Sequence, residues 1–382
     1  MLNNGIVRAV GTLNEIKRRF PRQRHIPLPQ AVLLPGLVNV HSHLELPPLL
    51  DIIRAKAKLF PDWILDLIHA KKELTHKDYL NATANNIRTL LQTGTTAVGD
   101  ICTHDISPAL LQKYGLRTII YWEFIRMGDH GDFHFPLRSH SNLVKAGLSP
   151  HTPYTVSEEV LRDINVLANT RHLQLAMHVA ESKDEIRLLQ RKKSGLEKLY
   201  QFAQWDLSWA PKGTTSFEYL DRIGFLSPRL LAVHAVHVTD NDIKLIKNAK
   251  VAIAHCPRSN RELGVGRMPL KKMLDAGITV GLGTDSLASS PNLNMWDEMR
   301  YAYQIHRRDG VSAEDILKLA TISGAKALGL GKEIGTLEPG KKADIIAVPL
   351  PKKNTNDLYS DLLRETKSCI MTMVNGKILF RA

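Results

Sequence analysis

Eight short apolar runs recur along this chain, and each is followed by polar residues and then by a longer amphipathic stretch. The runs are residues 36–40, 95–100, 117–124, 146–151, 173–181, 230–238, 251–256 and 279–285. Runs that are continuously apolar, rather than alternating, are typical of strands buried on both faces of a parallel sheet wrapped by helices. Eight strand–helix units are the number that closes a (β/α)8 TIM barrel, so the pattern predicts an α/β protein of this class.

The segments between the runs carry helical signals. Residues 81–94 place apolar side chains near positions i, i+3, i+4 and i+7 of one helical face. Ser157 precedes another periodic stretch as a candidate N-cap, and Glu159 lies in the first turn, where a carboxylate suits the helix dipole. These segments are predicted to be the helices that wrap the barrel.

The two ends of the chain lie outside the eight units. Residues 331–382 contain short strand-like runs, with Asn375-Gly376 between two of them as a strong hairpin signal. We expect residues 1–35 and 331–382 to pair into a small β-domain beside a catalytic barrel of residues 36–330. This β-domain is assigned no chemistry.

Composition excludes several classes of protein. The charge of +13 is scattered, with residues 17–24 as the one basic cluster, and no basic stripe interleaved with aromatic residues suggests base stacking. No segment approaches the roughly 18 apolar residues of a membrane-spanning helix. Three cysteines without CxxC spacing indicate a reducing compartment. We expect a cytoplasmic protein that binds neither nucleic acid nor membrane, with a solvated basic surface or attraction for an anionic small molecule, and we leave a homodimer open.

Polar side chains collect where the predicted strands end, which is the face that carries catalytic residues in such barrels. Alternation puts His41 and His43 on the same side of the first strand, so both can reach one ion. Imidazoles with one carboxylate form a set suited to zinc or ferrous iron, although hydrogen-bonded core histidines are the alternative. The residues are His41, His43, His178, His234, His255 and Asp285.

At these same positions the chain resembles the amidohydrolase superfamily, and most closely its purine and nucleoside deaminase branch. The matching motifs cover nearly the whole chain and occur in the family's order. They are PGLVNVHSHLE, SPHTPYTVS, AMHVAES, AVHAVH, AHCPRSN, VGLGTDSLAS and the tail SGAKALGLGKEIGTLEPGKKADIIAV. A member of this branch is expected to be a metal-dependent aminohydrolase that acts on a cyclic amidine.

The resemblance also implies roles for individual residues. His41, His43, His178 and Asp285 would bind one divalent metal ion, Zn²⁺ in first place and Fe²⁺ as the alternative. His234 would contact the activated water and the leaving amine. Glu181, in the branch's HxxE pattern, would shuttle protons, and Asp285 would take the proton from the water. The fourth strand lacks the carboxylated lysine of two-metal relatives, which favours a single ion.

The chemistry supports these implied roles. A bound divalent ion can lower the pKa of water from about 15.7 to near 7, which supplies hydroxide at neutral pH. When hydroxide attacks the ring carbon that bears the amine, protonated Glu181 can donate to the neighbouring ring nitrogen. The alternative for Glu181 is a solvated carboxylate at a helix start. His255 is interpreted as a hydrogen-bonding residue behind the site rather than a ligand.

Loop residues are expected to determine the substrate specificity. Phe60 and Trp63 lie at helical spacing in a long insertion after the HSH motif, where they either pack on the barrel or form a lid over a flat heterocycle. His151 would contact a sugar or base, and Glu123 is a further candidate. Arg126 could grip a substrate carboxylate.

The substrate predicted from these motifs is a 6-aminopurine nucleoside, because HLEL followed by an FxxWI-type segment resembles the aminodeoxyfutalosine deaminases of menaquinone biosynthesis. Alternatives are S-adenosylhomocysteine/methylthioadenosine deamination, guanine deamination and a chlorohydrolase-type reaction at the same site.

Overall fold

The strands of the molecule form one long parallel sheet and smaller antiparallel ones. The computed structural model describes residues 1–54, 59–127, 141–209, 213–352 and 357–382. The strands are β1 (Leu2–Asn3), β2 (Ile6–Val7), β3 (Ala31–Pro35), β4 (Leu37–Ser42), β5 (Thr95–Cys102), β6 (Arg117–Phe124), β7 (Val144–Pro150), β8 (Gln174–Val179), β9 (Leu230–His234), β10 (Ala252–His255), β11 (Val280–Leu282), β12 (Ile345–Pro349), β13 (Met371–Val374) and β14 (Lys377–Arg381).

Helices occupy most of the connections between these strands. None of those in the described ranges has the length and apolar character needed to cross a membrane. They are α1 (Leu13–Arg19), α2 (Leu50–Arg54), α3 (Phe60–Lys72), α4 (His76–Gln92), α5 (Ser107–Tyr114), α6 (Glu158–Arg171), α7 (Lys183–Leu189), α8 (Glu197–Ala203), α9 (Ser216–Arg222), α10 (Asp240–Ala249), α11 (Pro257–Glu262), α12 (Leu270–Asp275), α13 (Met295–His306), α14 (Ala313–Leu319), α15 (Ile322–Ala327) and α16 (Leu358–Glu365), with a 3₁₀ turn at Arg307–Asp309.

Strands β4 to β11 pair in chain order, each parallel to the next, and form the barrel. Its two edges meet through a parallel bridge between Ser42 and Asp285. The Asn39 side chain adds to this closure, since its Nδ2 donates to Thr284 Oγ1 (2.7 Å) and its Oδ1 accepts from Thr284 N (3.1 Å). The predicted TIM-barrel fold is confirmed, and each of the eight apolar runs overlaps one barrel strand.

Alternation along the strands divides their side chains between two apolar layers. Ile119 and Tyr121 join a cluster with Val38 and Val40 of a neighbouring part of the barrel. Ile120 and Trp122 belong to a second cluster that includes helix residues such as Leu111. The first cluster therefore fills the barrel and the second joins barrel to helices, which is why these runs are apolar on both faces.

A four-stranded antiparallel sheet in the order β14-β13-β12-β3 flanks the barrel, so the two ends of the chain do pair with one another. Asn375 and Gly376 join β13 to β14 with φ of 50° and 81°, as a two-residue hairpin turn requires. Ser157 is the N-cap of α6, but its side chain makes no capping hydrogen bond. Nothing in the structure tests the domain boundaries, which stay a prediction.

The barrel and the flanking sheet are joined by a buried ion pair. Arg117 at the start of β6 donates from Nε and Nη2 to the two carboxylate oxygens of Asp344, at 2.8 and 3.0 Å. Asp344 also accepts from the backbone N of Asn375 (2.8 Å), so one carboxylate ties β6, the approach to β12 and the hairpin together.

Candidate metal and catalytic site

The closure of the barrel brings residues from its first and last strands together. His41 Nε2 and His43 Nε2 each lie 3.5 Å from Asp285 Oδ1. Asp285 N donates to His41 O (3.1 Å), and Ser42 Oγ donates to Asp285 O (3.1 Å), so backbone bonds hold the two segments in register. The two-residue spacing of the histidines places both imidazoles against one carboxylate.

His178 and His234 reach the same place from β8 and β9. The ring centroid of His178 is 4.9 Å from that of His41 and 5.5 Å from that of His234. His178 Nδ1 lies 3.0 Å from His151 O and His234 Nδ1 lies 2.8 Å from Asn260 Oδ1, so in each ring Nε2 is left for the site.

Two overlapping sets of side chains have ligand atoms within 4.8 Å of one another: His41, His178 and His234 form one, and His41, His43 and Asp285 the other. Both ring nitrogens of His41 are buried and have no hydrogen-bond partner among the described residues. A buried imidazole without a partner is costly, and coordination of a cation removes that cost. These residues therefore form a site that is able to hold a metal ion.

Three donors fix the orientation of Asp285. Its Oδ2 accepts from Ser259 Oγ (2.6 Å) and Ser289 Oγ (2.9 Å), and its Oδ1 accepts from Ser286 N (2.8 Å). Asp285 has φ of 59°, which an L residue adopts at a cost that the surrounding bonds must offset. The carboxylate is thus held in one orientation before any ligand binds.

The charges in the site favour ligation. Burial lowers the pKa of His41 and of His234 to about 4 and that of His43 to about 3, so these rings are neutral at pH 7 and their lone pairs are available. Burial alone would raise the pKa of Asp285, but the neighbouring imidazoles hold it well below its usual range. The site therefore offers a metal ion at least three neutral imidazole nitrogens and one carboxylate.

Glu181 lies beside this group, with its Oε1 3.3 Å from His234 Nε2. Burial, together with the Asp285 and Glu185 carboxylates, raises the pKa of Glu181 well above its usual value, which favours the protonated form of this carboxyl. The Glu185 carboxylate accepts from Ala180 N (2.7 Å) and Glu181 N (2.9 Å), which positions the loop that carries Glu181.

Glu123 and His151 lie next to His178. Glu123, His151 and His178 have ligand atoms within 4.8 Å of one another. Burial would raise the pKa of Glu123, but His151, His43 and Lys71 lower it to about 2, so Glu123 is ionised. Thr103 Oγ1 donates to it at 3.2 Å. Burial lowers the pKa of His151 to about 3.

A cavity of about 300 Å³ opens onto these groups. Phe60 and Trp63 line it with their rings stacked at 5.9 Å, and both also pack against core residues, so each of the two expected roles has structural support. Trp63 Nε1 donates to Ala288 O (3.2 Å), which holds α3 over the mouth of the barrel.

Arg126 is differently placed from Glu123. Ile125 lines the cavity but Arg126 does not. The backbone N of Arg126 donates to Thr155 O and its backbone O accepts from Ser157 N, at 2.9 Å each. Its binding of a substrate carboxylate has no support from this placement and stays a prediction.

Two further histidines lie outside the metal group. His255 Nε2 is 3.1 Å from His306 Nε2, in keeping with a role behind the site. His237 Nε2 is 2.7 Å from Val265 O, which leaves His234 as the residue of its strand that faces the site.

Sequence reasoning missed Lys71, Ser259, Asn260 and Glu185. Ser259 and Asn260 lie inside the AHCPRSN motif, but their partners Asp285 and His234 are about 26 residues away. Glu185 follows Ser182 in an S-x-x-E capping pattern, and Ser182 Oγ accepts from Glu185 N (3.1 Å) as that pattern predicts.

Comparison with known proteins agrees with this geometry. The sequence profile of the amidohydrolase family matches residues 32–379. The chain belongs to the amidohydrolase family. Its relatives include a 5-methylthioadenosine/S-adenosylhomocysteine deaminase of Caldanaerobacter subterraneus subsp. tengcongensis, 32% identical over 372 residues that cover 91% of this chain and 80% of the relative.

Two solved structures have the same fold. An adenosine deaminase from Xanthomonas campestris with bound zinc is 26% identical and has a TM-score of 0.83. The match covers 99% of this chain and 87% of the Xanthomonas chain. The aminofutalosine deaminase of Helicobacter pylori is 24% identical, with a TM-score of 0.85 and coverage of 99% and 94%. The expectation of an enzyme of the amidohydrolase family, in its nucleoside deaminase branch, is confirmed.

Proposed function

We propose that this protein is a metal-dependent hydrolase that removes the amino group of a 6-aminopurine nucleoside as ammonia. The observation that carries the proposal is the position of the buried Glu181 carboxyl, whose Oε1 lies 3.3 Å from His234 Nε2 beside the metal-binding group and whose pKa is raised by burial. A buried acid next to an ionised Asp285 is the arrangement that general acid–base chemistry on a heterocycle needs.

His41, His43, His178 and Asp285 are the residues we assign to the ion. Nitrogen donors with one carboxylate suit zinc, with ferrous iron as the alternative, and zinc is bound in the Xanthomonas deaminase. When bound, a divalent cation supplies Lewis-acid activation of a water molecule. His151 O and Asn260 Oδ1 orient the rings of His178 and His234, as partners of metal-site histidines do.

The protons move through Glu181 and Asp285 in this proposal. The water oxygen adds to the ring carbon that bears the amine, and Asp285 takes a water proton. Glu181 donates its proton to the adjacent ring nitrogen. It then takes the remaining proton of the added hydroxyl and passes it to the exocyclic nitrogen, so the C–N bond breaks, ammonia leaves and the ring carbonyl forms, and the proton held by Asp285 returns to Glu181. His234 Nε2, held by Asn260, contacts the water and the departing amine.

Phe60, Trp63, Glu123 and His151 line the cavity and are proposed to bind the substrate, and Arg126, which is not among the lining residues, is a further candidate from the sequence. Trp63 and Phe60 offer flat faces to the base, and the ionised Glu123 can accept from sugar hydroxyls. The named substrate we propose is 6-amino-6-deoxyfutalosine, supported by the HLEL and FxxWI segments and by the presence of an aminofutalosine deaminase among proteins of this fold.

The decisive test follows ammonia release from aminodeoxyfutalosine, methylthioadenosine, S-adenosylhomocysteine, 5′-deoxyadenosine, adenosine and guanine by the zinc-loaded enzyme. We expect turnover of the 6-aminopurine nucleosides, with aminodeoxyfutalosine the best. Glu181→Gln should lower kcat about 10²- to 10⁴-fold while zinc content is kept. Glu73→Gln, an exposed neutralisation on the same side of the barrel, is the control. Turnover of guanine alone, or full activity of Glu181→Gln, would refute the proposal.

A further inference from the structure

One wall of the cavity is apolar. Helix α3 and the segment around α8 supply it, and Lys198 Nζ on α8 bonds Asp62 Oδ1 on α3 at 2.8 Å. A nucleoside with no group beyond its sugar would leave this wall in contact with water. The wall therefore indicates a substrate that carries an apolar group on the nucleoside. Its residues are Ile64, Leu67, Ile68, Leu199, Phe202 and Trp205.

Lys71, in the last turn of α3, is the one lysine or arginine among the described residues that line the cavity. It is half-buried, and its ammonium has no carboxylate of the described residues within 4.0 Å. Glu123 bonds Thr103 instead. A cation that is partly desolvated by apolar neighbours and left without a partner attracts an anion more strongly than one in water.

Lys71 lines the same cavity as Glu123 and His151. Trp63 bonds Ala288 O, three residues beyond Asp285, and Lys71 lies eight residues after Trp63 on α3, about 12 Å farther along the helix axis. Lys71 is therefore at a distance from the metal group, toward the end of the cavity that the last turn of α3 lines. A base over the metal group and a sugar at Glu123 would direct the 5′ substituent toward Lys71 and the apolar wall.

We propose that Lys71 binds a carboxylate on an apolar 5′ substituent, and that the enzyme selects 6-aminopurine nucleosides carrying such an acidic group. This inference rests on the proposed function. Lys71 lines the cavity, whereas Arg126, for which the sequence suggested a similar role, is not among the lining residues. The ionised Glu123 repels the same carboxylate, so the substituent binds on the far side of Lys71 from Glu123.

Two matched synthetic substrates test the inference: 5′-S-(4-carboxybenzyl)-5′-thioadenosine and its uncharged 5′-S-benzyl counterpart. The zinc-loaded enzyme should prefer the acid by roughly 10- to 100-fold in kcat/KM, mainly through KM, since a hydrogen bond to a charged group is involved. Lys71→Met should bring the ratio of the two values near one, and Lys71→Arg should keep most of the preference. Lys77→Met removes an exposed charge outside the cavity and should leave both values unchanged.

The outcomes separate this inference from the proposed function. No preference in the wild-type enzyme, or an equal loss for both compounds in Lys71→Met, would overturn it. Binding of the two compounds, measured by calorimetry, tests Lys71 without turnover. If neither compound releases ammonia but the acid still binds more tightly through Lys71, the proposed reaction fails and the anion site stands.

Discussion

The two serine hydroxyls on Asp285 Oδ2 offer a quantitative test of how the site is held. Ser259 and Ser289 donate at 2.6 and 2.9 Å, and the remaining donor, Ser286 N, bonds the other oxygen. A hydrogen bond to a charged group contributes about 1.5–3 kcal/mol. Loss of either hydroxyl should therefore weaken metal binding by roughly 10- to 100-fold, the range found when groups behind metal ligands are removed.

Ser259→Ala, Ser289→Ala and the double variant are compared for zinc affinity, by competition with a chelator, and for kcat at saturating zinc. The double variant should lose more than either single variant, because Oδ2 then has no hydroxyl donor. Ser290→Ala is the matched control, since Ser290 is equally buried but bonds Asn292 O rather than Asp285. Zinc affinity and kcat within threefold of wild type in the double variant would refute the view that these hydroxyls orient the carboxylate.

Two further predictions concern stability. Arg117→Met leaves Asp344 as a buried charge without its partner and should lower the free energy of unfolding by about 3–5 kcal/mol in urea titrations. The double variant Arg117→Met with Asp344→Leu should recover much of that loss. An effect below about 1 kcal/mol for the single change would contradict the buried pair. In the metal-free protein the pKa of His41 and of His234 is lowered to about 4, whereas histidines of the unfolded chain take up protons below about pH 6.5. The thermal midpoint should therefore be constant above pH 6.5 and fall as the pH drops toward 4. A flat profile over that window would count against neutral buried imidazoles.

The barrel could be predicted because its signals are local. Each apolar run indicates burial on both faces of a single strand. For residues 117–124 the bounds of the run and of the strand are identical. The pairing of His41 with His43 followed from strand alternation alone. Asn375-Gly376 fixed a hairpin because only a few residue types tolerate positive φ at both turn positions.

What the sequence could not predict depends on approaches between distant segments. Ser259 meets Asp285 only after the barrel closes, and Lys71 enters the cavity only because Trp63 anchors α3 to Ala288 O. Arg126 shows the same dependence on tertiary structure, since Glu123 and Ile125 line the cavity and Arg126 is not among the residues that do, so its proposed contact with a substrate carboxylate stays a prediction.

The backbone at the ends of the barrel strands adopts positive φ angles at residues whose types do not predict them. Ala180, His234, Ala235 and Asp285 all have φ between 45° and 74°, although none of them is glycine. Each such residue costs on the order of 1–3 kcal/mol, and the conformations persist because bonds such as Glu185 to Ala180 N and His41 O to Asp285 N fix them. The strain lies next to Glu181, the proposed proton donor, and at His234 and Asp285, which are proposed to contact the water and to bind the metal ion. Preorganisation of this site is therefore a property of the closed barrel, and its cost is met by hydrogen bonds that join segments remote in sequence.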